Sequence, residues 1–280
     1  MNKVKKQKMI DATLKVFIWA ASFLTVGILA WILLYVVTKG IGHINWEFIT
    51  AAPQRNGLEG GVFPMIMNTV YIILFALSIA TPIGVSAAIY LVEYAKPGRV
   101  VRVIRFATET LAGIPSIIYG LFGYMFFVIT LKFGWSLIAG AFTLSIMVLP
   151  TIVRTTEEAL KSVPAMFREG SLALGLSKLR TITKVVLPSA IPGVLAAVIL
   201  SIGRVVGETA AVYFTAGTAL SRAMPESMMQ SGRTLAVHLF LLAKEAISFE
   251  KAYATATVLI ITVAIINFAA NKIALALKRC

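Results

Sequence analysis

The sequence predicts an all-α polytopic membrane protein with six transmembrane helices, and three observations carry that prediction. Hydrophobic residues make up 59% of the 280 and charged residues only 14%, with mean hydropathy +0.88, far from the balance of a soluble domain. Six apolar runs, near 16–37, 65–92, 107–131, 135–153, 189–216 and 254–277, are long enough to cross a hydrocarbon core of roughly 30 Å. The basic residues between those runs segregate to one side.

The elements follow in chain order. Residues 1–15 form a short N-terminal segment rich in lysine (Lys3, Lys5, Lys6, Lys8, Lys15). The run after it is too long for a signal-peptide core and meets no small-residue cleavage site, so it reads as a retained helix. With its outer loop it occupies 16–62, and 63–280 holds the other five helices. Lys96, Arg99, Arg102 and Arg105 separate the second and third helices. Arg154, Lys161, Arg168, Lys178, Arg180 and Lys184 separate the fourth and fifth, and Lys272, Lys278 and Arg279 close the chain. With the N-terminal lysines these make eighteen basic residues on one side, against seven on the other (Lys39, Arg55, Lys132, Arg222, Arg233, Lys244, Lys251). The positive-inside rule places both termini in the cytoplasm of a multi-pass inner-membrane protein. The net charge of +14 then reflects topology and contact with anionic membrane lipids. Spread over four short segments without aromatic stacking platforms, it argues against nucleic acid.

Residues 164–188 are a polar, basic interruption between long apolar runs. Their spacing predicts two short helices, one up to Leu174 and one opening near Ser177. Gly175 would adopt the left-handed conformation that ends a helix, and Ser177 would cap the next. Leu179, Ile182 and Val186 share a face, with Lys178, Arg180 and Lys184 largely off it. A capped helix pair of this kind fits a docking surface; the plainer reading is an ordinary basic inner loop.

Charge also lies inside the membrane. Arg204 and Glu208 stand one helical turn apart in the fifth run, where an ionised side chain costs roughly 2.5–3.5 kcal/mol by insertion scales. At i and i+4 on one helix they can pair. Gly203 and Gly207 would let a neighbour or a solute approach the backbone. Two readings stand: a bridge locking helices together, or an anion contact in which Glu208 holds Arg204 until a solute competes. Thr209 could offer a hydroxyl to that solute or bond its own backbone. Pro82 with Gly84, Gly113 with Pro115, and Pro192 with Gly193 predict static kinks more readily than hinges. Glu109 is expected near Arg105 or lipid headgroups, and Glu157 and Glu158, with Arg154, as a solvated helix extension.

No phosphate-cradling glycine loop, Ser-His-Asp set or paired carboxylates appear, so the chain is expected to be no enzyme and to bind no cofactor itself. The single cysteine, Cys280, excludes an intrachain disulfide, and His43 and His238 lack ligand spacing, so no metal site is expected.

Four stretches carry a family resemblance. Glu169-Gly170-Ser171, then Leu172-Ala173-Leu174, Gly175, Val185 and Leu187-Pro188 resemble the cytoplasmic signature of ABC importer permeases: Glu-Ala-Ala, three residues, Gly, nine residues, Ile, one residue, Leu-Pro. The alanines are replaced by Gly170 and Ser171, and Ile by Val185. The run from Arg204 to Ala210, the stretch Glu109–Gly120 and Gly232–His238 resemble the membrane subunits of phosphate-specific ABC importers, the shorter A-type subunit being the nearer. The resemblance spans most of the chain from about residue 63. It implies a type I ABC importer permease core with the first helix packed around it, and a coupling helix at 164–188 that seats in an ATPase. It further implies a related C-type permease as partner, two cytoplasmic ATPase subunits holding ATP and Mg, an extracytoplasmic phosphate-binding protein, and phosphate passage at Arg204 and Glu208. A secondary anion carrier, a permease for another anion, and a membrane scaffold or sensor are the alternatives.

Overall fold

A computed structural model describes residues 3–54, 57, 59–220 and 225–278. Arg55, Arg222, Arg279 and Cys280 lie outside the described residues, as do the side chains of Lys3, Lys5, Lys6, Lys8 and Lys278. Helix α1 (Lys3–Gly40) starts well before residue 16 and ends in a 3₁₀ turn. The outer loop holds α2 (Trp46–Thr50) and a small antiparallel hairpin, β1 (Pro53–Gln54) with β2 (Glu59–Gly60). Helix α3 (Phe63–Ile89) widens into a π turn over Tyr90–Tyr94. Then come α4 (Arg99–Ala112), α5 (Ser116–Gly123) with a π turn to Thr130, α6 (Leu137–Ser162), α7 (Ala165–Ala173) and α8 (Lys178–Thr181). A π turn (Ile182–Val186) joins α8 to α9 (Leu187–Val206), and α10 (Ala210–Thr215), α11 (Leu235–Lys244) and α12 (Phe249–Lys278) complete the chain.

Five helical runs are unbroken and long enough to span: Ile10–His43, Phe63–Tyr94, Leu137–Ser162, Lys178–Val206 and Phe249–Ala276. The sixth is broken. The expected single helix over 107–131 turns by 102° between α4 and α5, because Pro115 cannot donate to the ladder and drives its predecessor out of the helical region. An apolar run reads the same through a corner as along a rod, so hydropathy alone missed it. The fifth expected helix also stops early, at Val206.

Helix α6 forms the centre, packed chiefly on α3 and α9. Ile72, Ala76 and Ala80 meet Leu144, Met147, Val148 and Ile152, with Ile202, Val205 and Val206 closing the third side. Lipid chains are as apolar as leucine, so such packing depends on close approach and interhelical hydrogen bonds. Ser145 supplies one, its hydroxyl 3.0 Å from the Ala76 carbonyl. Helix α1 is peripheral. Its outer end packs on α12 through Tyr35 against Tyr253 and a 3.4 Å bond from Thr257 to the Val36 carbonyl. Most of its other described apolar side chains, Trp19, Phe23 and Trp31 among them, are exposed.

Candidate functional site

The 164–188 segment is a braced module. Gly175 has φ +82°, as its cap role requires. The Leu176 N–H bonds the Ser171 carbonyl (3.3 Å) and the Gly175 N–H that of Leu172 (2.9 Å), the paired bonds of a Schellman end. Ser171 and Thr181 share a buried 2.9 Å hydroxyl bond that ties α7 to α8. Arg168 does more than carry a loop charge. It grips Glu93, at the π-turned end of α3, from Nε (3.0 Å) and Nη2 (2.8 Å), and donates to the carbonyls of Val163 and Leu160 that end α6.

Two details of the expected helix pair are corrected. Ser177 sits at the cap position, but its hydroxyl makes no capping bond. The second helix is no separate element: α8 runs through its π turn into α9, so it is the end of the fifth span. Ile182 and Val186 are buried as their shared face implied, whereas Leu179 is exposed. Met166, Phe167, Leu172, Leu174 (82% exposed) and Leu179 present apolar surface outward. Glu169, Gly170, Ala173 and Pro188 are exposed, and Leu187 is half-buried.

The second site lies where the fifth span ends, at the C-terminus of α9. Arg204, in the last turn of α9, and Glu208 do not form the expected pair. The helix ends between them at Gly207 (φ −86°, ψ −2°), so the i, i+4 register that would align them is lost. Glu208 instead accepts from the Ala211 N–H at 3.1 Å, a carboxylate satisfying the free donors at the start of α10. Among the described residues Arg204 has one hydrogen-bond partner, Thr151 of α6, at 3.5 Å from Nη1. Thr209 donates to the Gly207 carbonyl at 3.4 Å, the backbone alternative. Gly203 and Gly207 face open space, where an added Cβ would meet nothing within 4 Å. Sequence reasoning missed Thr151, a lone threonine after Pro150 that no motif marks.

Around this break α5 and α10 pack tightly. A Cβ on Gly120 would come 2.9 Å from the Ala211 Cα, and the Tyr119 hydroxyl crosses the α4–α5 corner to the Leu111 carbonyl (2.8 Å). Beyond them a cavity of about 650 Å³ opens, walled by Tyr124, Trp135, Tyr213 and Phe214.

Two further clusters differ from expectation. Glu157 is buried, 2.6 Å from Arg105 and 2.7 Å from Lys161, because α4, ahead of the corner, lies against α6; Glu158, 3.3 Å from Arg154, is solvated as expected. The Gly232–His238 stretch forms a knot at the opposite end. Arg233 donates to the Thr218 carbonyl (3.0 Å) and stands 3.3 Å from His238 Nδ1. Asn68 bonds the Arg233 carbonyl (3.2 Å), and Thr234 caps α11. Burial, with the neighbouring Arg233 guanidinium, pushes the His238 pKa down to about 3, so the imidazole is neutral and structural. Burial likewise lowers the Arg233 pKa, opposed by Glu245.

A bundle of membrane-length helices, with a weakly engaged cation at the end of one span and a braced loop displaying apolar side chains, has the layout of a multi-pass membrane transport subunit. The chain belongs to the family of binding-protein-dependent transport system inner membrane components, whose model matches residues 80–279. It is 36% identical over 217 residues to the probable ABC transporter permease protein YqgI of Bacillus subtilis (74% of each chain). It is 40% identical over 190 residues to the phosphate transport system permease protein PstA of Pasteurella multocida (67% of each). With PstA 1 of Mycobacterium tuberculosis H37Rv it shares 36% over 252 residues, 88% of this chain and 81% of that protein. Among solved structures, a bacterial ABC transporter importing the acidic polysaccharide alginate superposes with TM-score 0.63 at 14% identity, covering 97% of this chain and 96% of that one. The MetNI methionine ABC transporter, inward facing, superposes with TM-score 0.59 at 23% identity, covering 78% and 94%. At such identities these show the fold, that of type I ABC importer permeases.

Proposed function

We propose that the chain is the membrane-spanning subunit of an ATP-driven importer and forms, with a related C-type permease, the pathway for inorganic phosphate. The observation that carries this is Arg204: a half-buried guanidinium with one long protein contact, beside two glycines facing open space, in a chain whose relatives include phosphate transport system permease proteins. A guanidinium stays charged when partly desolvated and presents a planar fork that suits phosphate oxygens. Glu208 is held by α10, so it tunes the field near the site and does not act as a lid released by the anion. Thr151 orients Arg204, and Thr209 has its hydroxyl turned to the backbone.

Both termini and the 164–188 module lie in the cytoplasm, where Met166, Phe167, Leu172, Leu174 and Leu179 seat in a groove of one of two ATPase subunits. ATP and Mg reside on those subunits, and an extracytoplasmic phosphate-binding protein delivers the anion. The test is uptake of radiolabelled phosphate by vesicles carrying the assembled complex with ATP inside. Arg204→Gln abolishes uptake while complex yield holds, and Arg204→Lys retains part of it. Phosphate uptake that needs no ATP would instead identify an ion-coupled carrier, and preference for sulfate or molybdate would reassign the substrate.

A further inference from the structure

Helix α4 cannot span. Its 14 residues cover about 21 Å at ~1.5 Å per residue, short of a roughly 30 Å core, and the chain turns 102° before α5 begins the crossing. It is amphipathic in cross-section: Val100, Val103, Ile104, Ala107 and Leu111 share one face at helical spacing, and Arg99, Arg102, Arg105 and Glu109 another. The apolar face is exposed (Val100 71%, Val103 65%). The side facing the bundle packs on α6, and there Arg105 meets the buried Glu157. Lys96, Arg99 and Arg102 make no ion pair among the described residues. A groove of about 400 Å³ runs along this edge, lined by Gly98, Val101, Arg102, Arg105, Phe106 and Glu109.

We propose that α4 lies in the plane of the membrane surface and that Lys96, Arg99 and Arg102, with this groove, bind the headgroup of an anionic phospholipid. The apolar face sinks among the acyl chains while the basic edge stays at headgroup depth, the arrangement of interfacial amphipathic helices. Glu109 opposes the anion, but three cations outnumber it, and Arg105 is engaged with Glu157, which it shares with Lys161. A partner helix against the apolar face would leave those three cations without counter-charge; an anionic leaflet supplies it. The proposal needs only that the chain is embedded in a membrane and does not rest on the identity of the transported anion.

The full chain reconstituted in vesicles of phosphatidylcholine with added phosphatidylglycerol tests it, by native mass spectrometry of retained lipid. Wild type should retain phosphatidylglycerol preferentially, and Arg99→Gln with Arg102→Gln should lower that preference roughly thirtyfold, from about 1 kcal/mol per basic side chain. An unchanged preference overturns the site, as does displacement of the lipid by excess inorganic phosphate, which would make it a free-phosphate site. Depth is read separately from a nitroxide at Val103→Cys in a Cys280→Ser background. Access to oxygen but not to a water-soluble nickel quencher places the face in hydrocarbon. Access to nickel, or to neither because a second permease covers it, overturns the in-plane placement.

Discussion

The 164–188 module and the break at Gly207 are both irregular, polar and rich in glycine, yet they treat their charges in opposite ways. In the module the polar groups are tied down: Arg168 makes four hydrogen bonds, Ser171 and Thr181 satisfy each other, and the Schellman bonds close α7. What it leaves outward is apolar. At the break, Glu208 is consumed by the start of α10 and Arg204 is left with a single 3.5 Å contact. A braced loop suits rigid transmission of force to a partner, because little of its motion is lost in its own rearrangement. A nearly unpartnered cation suits a transient ligand, because little protein bonding must break when the anion arrives or leaves.

The largest effect separating the two regions is expected at Arg204. Replacement by Gln should lower phosphate uptake at least a hundredfold, roughly 2.7 kcal/mol or more, with little change in thermal stability, since Glu208 does not depend on it. The double change with Glu208→Gln sharpens the point: the two effects on uptake should add within about 0.5 kcal/mol. Rescue of transport by the neutral pair would show the two charges to be a private bridge.

Arg168→Ala should act in reverse, through stability. It strands Glu93, whose side chain is 8% exposed, and breaking a buried pair from one side costs about 3 kcal/mol. A lowered unfolding midpoint with poor ATPase association is the expected result; Glu93→Ala added to it should recover much of the loss. If Arg168→Ala unfolds normally and couples normally, the bracing account fails.

The Gly232–His238 knot extends the comparison to a third polar cluster, braced like the module. Because the folded His238 pKa is lowered to about 3, the unfolded chain binds its proton first, near pH 6.5. The stability that the neutral imidazole contributes is whole above about pH 6.5 and falls as pH drops toward 3. Unfolding midpoints of the purified chain across that window should show the decline, and His238→Asn should flatten it.

The smallest effect is expected at Gly175→Ala. Nothing lies within 4 Å of an added Cβ, so the cost is only that of φ +82° for an L-residue, about 1 kcal/mol. ATP hydrolysis should still couple to uptake at somewhat reduced efficiency. Complete uncoupling by so small a change would mean that the Gly175 backbone itself touches the partner.

The architecture was legible in the sequence wherever one-dimensional patterns carry it. Apolar length marked the five unbroken spans but hid the corner in the remaining run, basic residues marked one end, and Gly175 announced its left-handed cap because few other residues adopt that conformation. The reading failed where two segments distant in sequence decide the outcome. Glu157 looked solvated until α4 laid Arg105 against it across 52 positions, and Arg168 looked like a loop charge until Glu93 met it from 75 positions away. Arg204 and Glu208 were the reverse case: four residues apart they promised a pair, and the end of α9 at Gly207 parted them.

By itself, then, the sequence determined a polytopic helical membrane chain, its spans and the charges that matter, because the bilayer enforces length and polarity on each segment independently. Which charges are satisfied was decided only by the tertiary structure. Whether a carboxylate meets an arginine, a helix start or water depends on how Pro115 turns the chain and where α9 ends, and that geometry leaves Arg204, at the end of a membrane span, with one long contact among the described residues.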